Sequence, residues 1–197
     1  MSGGPTAGIV APAPVRRRRV VMWSAICVAV AVAVLIAVIA SAQPSSEVSA
    51  KSPLLGNTAP AISGRGLEGG HYTLSQFHGR WVLVNFMATW CTACQKEMPQ
   101  LERFWDEHSK RGDAVVLTVA DDPTNLAQLR SFLISKGAHW PAVDDPAATV
   151  SYGLQGLPTS FLVAPDGVVY WYLLGEVQAS QLDKLLQQGA SLGLGQA

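Results

Sequence analysis

Val82-Leu83-Val84-Asn85-Phe86-Met87-Ala88-Thr89-Trp90-Cys91-Thr92-Ala93-Cys94-Gln95-Lys96-Glu97-Met98-Pro99 is an apolar run that ends in two cysteines and then changes period. Trp81 to Met87 is short, continuous and almost wholly apolar, as expected of a strand buried on both faces of a parallel or mixed sheet. From Thr92 onward Met98, Leu101, Phe104 and Trp105 recur at helical spacing, with Lys96, Glu102, Arg103, Asp106 and Glu107 at the other positions. This predicts a helix to about Lys110, stopped by Gly112 and kinked at Pro99, where a backbone donor is missing. The cysteines therefore sit where a strand becomes a helix.

That position has a chemical consequence. The first turn of a helix offers unpaired N–H groups and the positive end of the peptide dipole, and both favour a thiolate over a thiol. Cys91, nearer the end, is the expected nucleophile. Cys94 lies three residues on along the same face, so it can attack a mixed disulfide at Cys91 and release the product. Half of a structural zinc site is the competing reading of such a pair, but zinc needs four ligands. No second pair follows, and His71, His78, His108 and His139 are scattered without ligand spacing.

Trp90-Cys91-x-x-Cys94 after a buried strand, then Glu97 and Pro99, and far downstream Gly156-Leu157-Pro158-Thr159, resembles the thioredoxin superfamily. The likeness is to its membrane-tethered extracytoplasmic branch, the TlpA, ResA and CcmG-like thiol–disulfide oxidoreductases, and runs from about Ser52 to Gln188. It implies an α/β, thioredoxin-like fold with a central mixed sheet flanked by helices, preceded by a single N-terminal transmembrane helix. Also implied are catalytic roles for Cys91, Cys94, Glu97 and Pro158, and substrate binding by Trp90, Leu157 and Thr159. Leu157-Pro158 would be a cis-peptide loop facing the sulfurs, against a cis frequency of only about 5 to 6 per cent for X-Pro bonds. Its backbone would be free to pair with an extended client segment.

Two positions depart from the family pattern. Soluble thioredoxins carry a buried aspartate on the strand before the motif; here it is Asn85, which cannot accept a proton at ordinary pH. Glu97 is the candidate to replace it, in competition with an ordinary solvated helix acid paired to Lys96 or Arg103. Thr92-Ala93 stands where many relatives have a proline before the second cysteine, which bears on the redox potential without revealing its direction.

The flanking sequence bears on compartment. Val20 to Ala40 is apolar except for Ser24 and follows Arg16-Arg17-Arg18-Arg19. At about 1.5 Å per residue this run can cross a hydrocarbon core about 30 Å thick, with the arginines held in the cytoplasm. Cleavage after Ala42 would instead give a secreted chain, but the run exceeds the roughly 7 to 15 residues of a signal h-region. The predicted organisation is a basic tail (1–19), an anchor (20–42), a linker (43–52), the domain (53–190) and a C-terminal tail (191–197). The domain is thus expected on the periplasmic side of a bacterial cytoplasmic membrane. Without Arg16–Arg19, ten Lys and Arg stand against 14 Asp and Glu, an acidic balance that argues against nucleic acid. Cys27 lies inside the anchor, so Cys91 and Cys94 form the only dithiol beyond it.

Elsewhere in the domain the pattern predicts a lead-in segment at Leu54–Ile62, a short strand at His71–Leu74 and a strand at Ala114–Ala120. It predicts a helix at Asn125–Lys136 ended by Gly137 and a short helix at Ala147–Tyr152. A strand at Ser160–Val163 joins Val168–Tyr172 through an Asp166-Gly167 turn. The last helix spans about Ser180–Gln188, capped by Ser180 with Asp183 and stopped at Gly189.

The expected activity is thiol–disulfide exchange, most simply as a reductase of protein disulfides, apocytochrome c among the possible clients, with a DsbD- or CcdA-like membrane reductant. Electrons pass as dithiol and disulfide, so no cofactor and no metal are expected. A peroxiredoxin-like peroxidase would need Pro-x-x-x-Thr/Ser-x-x-Cys. Val84 and Ala88 stand at those positions before Cys91, Met87 and Cys91 before Cys94. An SCO-like copper carrier would want wider cysteine spacing and a histidine after the sheet returns.

Overall fold

The computed structural model describes residues 26–34, 52–67, 69–121 and 126–195. The chain falls into two units, Met1–Ser45 and Ser46–Ala197. Of the first, residues 26–34 are described; they are helical (α1), with Ile26, Val28, Val30, Val32 and Val34 exposed. The expected tail, the rest of the anchor and all of the linker but Ser52 lie outside the described residues. No helix among the described residues is long and apolar enough to cross a membrane.

The second unit contains β1 (Ser63–Gly66), β2 (His71–Thr73), β3 (Trp81–Met87), α2 (Thr92–Arg111), β4 (Ala114–Ala120), α3 (Leu126–Ser135), β5 (Ala142–Asp144), α4 (Pro146–Ser151), β6 (Thr159–Val163), β7 (Val169–Leu174) and α5 (Ala179–Ser191). The strands form one mixed sheet in the order β2-β1-β5-β4-β3-β6-β7. β3 pairs parallel with β4 and antiparallel with β6, and every residue of β3 and β4 is buried. That accounts for the continuous apolar runs, since both faces of these central strands are covered.

Alternation along β3 divides the core. Trp81, Leu83 and Met87 face a cluster that includes Cys91, Cys94, Met98, Leu101, Phe104, Leu182 and Leu186, whereas Val82, Val84 and Phe86 face Phe77, Tyr152, Phe161 and Tyr172. α2 and α5 therefore lie over the face that carries the cysteines. Each large side chain so buried contributes about 1.5–3 kcal/mol of transfer free energy.

Several predicted boundaries change. β1, which pairs antiparallel with β2 as the N-terminal hairpin that the resemblance implies, and β5 have no range in the sequence pattern: they have four and three residues, and β1 reads Ser-Gly-Arg-Gly, a poor strand sequence. The glycine is admitted by packing, because a Cβ on Gly64 would lie 2.6 Å from the Asp144 carbonyl oxygen. α2 runs unbroken through Pro99 and ends at Gly112, φ 71°, whose N–H donates to the His108 carbonyl at 2.8 Å. α5 starts beyond Gln178 rather than at a Ser180 cap and continues past Gly189 to Ser191. Asp183 is used instead in a tertiary contact, accepting from His108 Nε2 at 3.0 Å.

Candidate functional site

Cys91 is the N-cap of α2, and its sulfur accepts the Cys94 N–H at 3.1 Å. The Cys91 carbonyl takes the Gln95 N–H at 3.1 Å, so the helix begins at the sulfur itself. Cys91 and Cys94 are joined in a disulfide with a Cα–Cα separation of 5.2 Å. Cys91 keeps 6% of its surface and Cys94 none, so an incoming nucleophile or electrophile meets Cys91 first. Trp90 beside it is 67% exposed, a broad apolar surface at the rim of the sulfurs.

The Leu157-Pro158 bond is cis. Register fixes the place of this loop: Thr159 stands opposite Phe86 at the start of β6, so Pro158 falls beside the end of β3, from which the cysteine turn departs. The Pro158 carbonyl accepts the Gly175 N–H at 2.9 Å. Among the described residues, no hydrogen bond engages the backbone N–H or carbonyl of Leu157, which is partly exposed. Thr159, expected to touch the client, is instead fully buried and donates its hydroxyl to the Gly156 carbonyl at 2.6 Å. It shapes the loop from beneath.

Glu97 is 1% exposed. The solvated alternative, an acid paired to Lys96 or Arg103, is overturned by that burial. Oε1 accepts from Asn85 Nδ2 at 2.8 Å, and Oε2 from the Val177 N–H at 3.1 Å. Burial pushes its carboxyl up from 4.5 to about 7, with the Glu176 charge adding to the rise and the two donors opposing it. A carboxyl in that range exchanges protons near neutrality, and it sits one helical turn beyond Cys94.

In the sequence, Asn85 stands out only as a missing acid. In the structure it lies level with Thr118 on β4 and Ser160 on β6, a polar row across the central strands. Its Nδ2 also donates to Ser160 Oγ at 3.0 Å, while Thr118 Oγ1 accepts from Trp140 Nε1 at 2.8 Å. Ser160, Glu176 and Val177 lie outside the residues that the cysteine motif and the proline loop point to. The signal for Ser160 was a hydroxyl in a buried strand, but the Val177 N–H carries no sequence signal. Among the described residues, no three His, Cys, Asp or Glu side chains are grouped so as to hold a metal ion.

A sequence model of the AhpC/TSA family matches residues 55–172. The thiol-disulfide oxidoreductase ResA of Bacillus thuringiensis (strain Al Hakam) is 32% identical over 136 residues, covering 68% of this chain and 78% of the relative. The chain belongs to the ResA family of thiol-disulfide oxidoreductases. ResA of Geobacillus thermodenitrificans is 29% identical over 135 residues, covering 68% of this chain and 76% of that protein. Among solved structures, the thioredoxin domain of a Bacteroides vulgatus thiol-disulfide oxidoreductase superposes with a TM-score of 0.60 at 26% identity, covering 71% of this chain and 98% of that one. The fold is thus thioredoxin-like, as the cysteine motif and the distant proline loop implied. As a ResA-family enzyme the chain carries out thiol–disulfide exchange, and Cys91 and Cys94 are its dithiol.

Proposed function

We propose that this ResA-family enzyme works as a reductase of protein disulfides on the outer side of a membrane. Reduced Cys91 attacks a client disulfide as the thiolate, held by the Cys94 N–H and the N-terminal end of α2. One client sulfur leaves and a mixed disulfide forms. Cys94 then attacks Cys91, the second client sulfur departs with its electron pair, and the enzyme is left oxidised; two electrons have moved to the client. Glu97 takes the proton from the Cys94 thiol. An extended client segment pairs with the unengaged backbone of Leu157 against the wall formed by Pro158, and Trp90 covers it from the rim.

The observation that carries this reading is the buried carboxyl of Glu97 one turn beyond a disulfide at a helix N-terminus. For Cys94 to attack the mixed disulfide its thiol must lose a proton, and a carboxyl that titrates near neutrality one turn away can accept it. Val20–Ala40 behind four arginines supports a single-pass anchor with the domain outside, and the reductant would then be a DsbD- or CcdA-like membrane protein. Apocytochrome c, whose haem-site cysteines must be reduced, is the client class in keeping with ResA relatives.

Equilibration of the full chain with glutathione tests the direction. A potential near thioredoxin's, about −270 mV, supports the reductase, and one near about −120 mV would make it an oxidant. Turnover of insulin disulfides tests the site: Cys91→Ser should abolish it, and retained turnover would overturn the assignment.

A further inference from the structure

β3 presents one polar side chain beneath the site, Asn85, and its amide is used unevenly. Nδ2 donates to Glu97 Oε1 at 2.8 Å and to Ser160 Oγ at 3.0 Å, while Oδ1 is buried with no hydrogen-bond partner among the described residues. Asn85 and Ser160 are fully buried and Glu97 is 1% exposed, so water does not make up the difference at the surface. A buried carboxamide oxygen without a donor is uncommon enough to call for a reason.

The reason lies in what Glu97 needs in its two protonation states. An ionised carboxylate only accepts, and here it takes one N–H from Asn85 and one from Val177. Once protonated it has a hydrogen to place. The Val177 N–H is fixed by the backbone, so Oε2 must remain an acceptor and the hydrogen falls on Oε1, facing a donor. A half-turn of the Asn85 amide about its last torsion, which is soft, brings the unpartnered Oδ1 to Oε1–H. Ser160 Oγ accepts in the first arrangement and, by rotating its hydroxyl, donates to Oδ1 in the second. Glu176 contributes like charge from the segment before α5, and Cys94, also buried, precedes Glu97 by three residues on α2.

We propose that Asn85 is the positioning residue of the proton step: its amide turns over whenever Glu97 gains or loses a proton, with the Ser160 hydroxyl following. This rests on the proton-accepting role proposed for Glu97. As Cys94 bonds to Cys91 and the Cys91–client bond breaks, the Cys94 proton passes to the Glu97 carboxylate and the client sulfur leaves as a thiolate. When the pair is later reduced, Glu97 returns the proton to the Cys94 thiolate. Asn85 holds the carboxyl in place in both states and itself never ionises.

The test is a pH titration, from about 5 to 9, of the oxidised full-length chain labelled with 13C and 15N, following Glu97 Cδ and the Asn85 side-chain amide by NMR. The two are expected to move with one midpoint. Asn85→Leu removes a charge-assisted bond from one state and a weaker neutral one from the other, so the Glu97 midpoint should rise. Ser160 serves both states, so Ser160→Ala should leave the midpoint within about threefold in proton affinity. Asn85 signals that stay flat through the Glu97 titration would overturn the proposal, as would a Ser160→Ala midpoint displaced as far as that of Asn85→Leu. The titration needs no client, so it stands apart from the Cys91→Ser turnover assay; either can fail alone.

Discussion

A single buried carboxyl links the chemistry of this enzyme to its stability. Glu97 titrates near 4.5 when unfolded and is raised to about 7 in the fold, first by burial. Between those values the folded chain keeps a proton that the unfolded chain has lost. Stability is therefore greatest below the unfolded value and falls as pH rises through the folded one. The interval corresponds to roughly 3 kcal/mol, at ~1.36 kcal/mol per pH unit. Glu97→Gln cannot ionise, so urea unfolding of the oxidised chain should show the wild type losing about that much stability relative to the variant between pH 4.5 and 8. Parallel profiles would mean that Glu97 ionises over the same pH range folded and unfolded, so that burial does not raise it.

At the level of elements, the redox unit was legible because period and chemistry coincide. An apolar run, two cysteines and a helical stripe identify β3 and α2 without tertiary information, and cis Leu157-Pro158 followed from family likeness where local statistics favour trans. What could not be read were the positions whose residue choice is decided by a distant neighbour. Gly189 looked like a helix stop, yet it lies inside α5, where a Cβ would fall 2.5 Å from Trp81 Cζ2 and 3.2 Å from Trp171 Cη2. Gly189→Ala, helix-favouring by propensity, should instead destabilise by about 1–3 kcal/mol through overpacking, measured by urea denaturation. Asp183 looked like part of a capping box but serves α2. His108, buried between Asp113 at 2.8 Å and Asp183 at 3.0 Å, has a carboxylate oxygen at each ring nitrogen. Asp183→Ala removes the contact that ties α5 to the end of α2. The expected loss is roughly 1 to 2 kcal/mol, the lower part of the ~1–3 kcal/mol range because the Asp183 carboxylate is partly exposed.

Across the whole domain, the sheet separates the redox face from a face that is purely structural. On the far side Phe86, Tyr152, Phe161 and Tyr172 pack as a ring cluster with centroid separations of 5.0–6.0 Å, and Tyr152 OH donates to the Pro60 carbonyl at 3.0 Å, holding the lead-in segment against the sheet. None of these side chains faces the cysteines, because alternation along β3 and β6 sends them to the opposite side. Tyr152→Phe keeps the rings and removes the hydroxyl, leaving the Pro60 carbonyl without that donor, and should cost about 1 kcal/mol in chemical denaturation. Because sites without shared partners act independently, the same variant should reduce insulin at the wild-type rate and titrate Glu97 at the wild-type pH. A change in either would mean that the two faces communicate through β3, with Phe86 beside Asn85 on that strand as the first contact to examine.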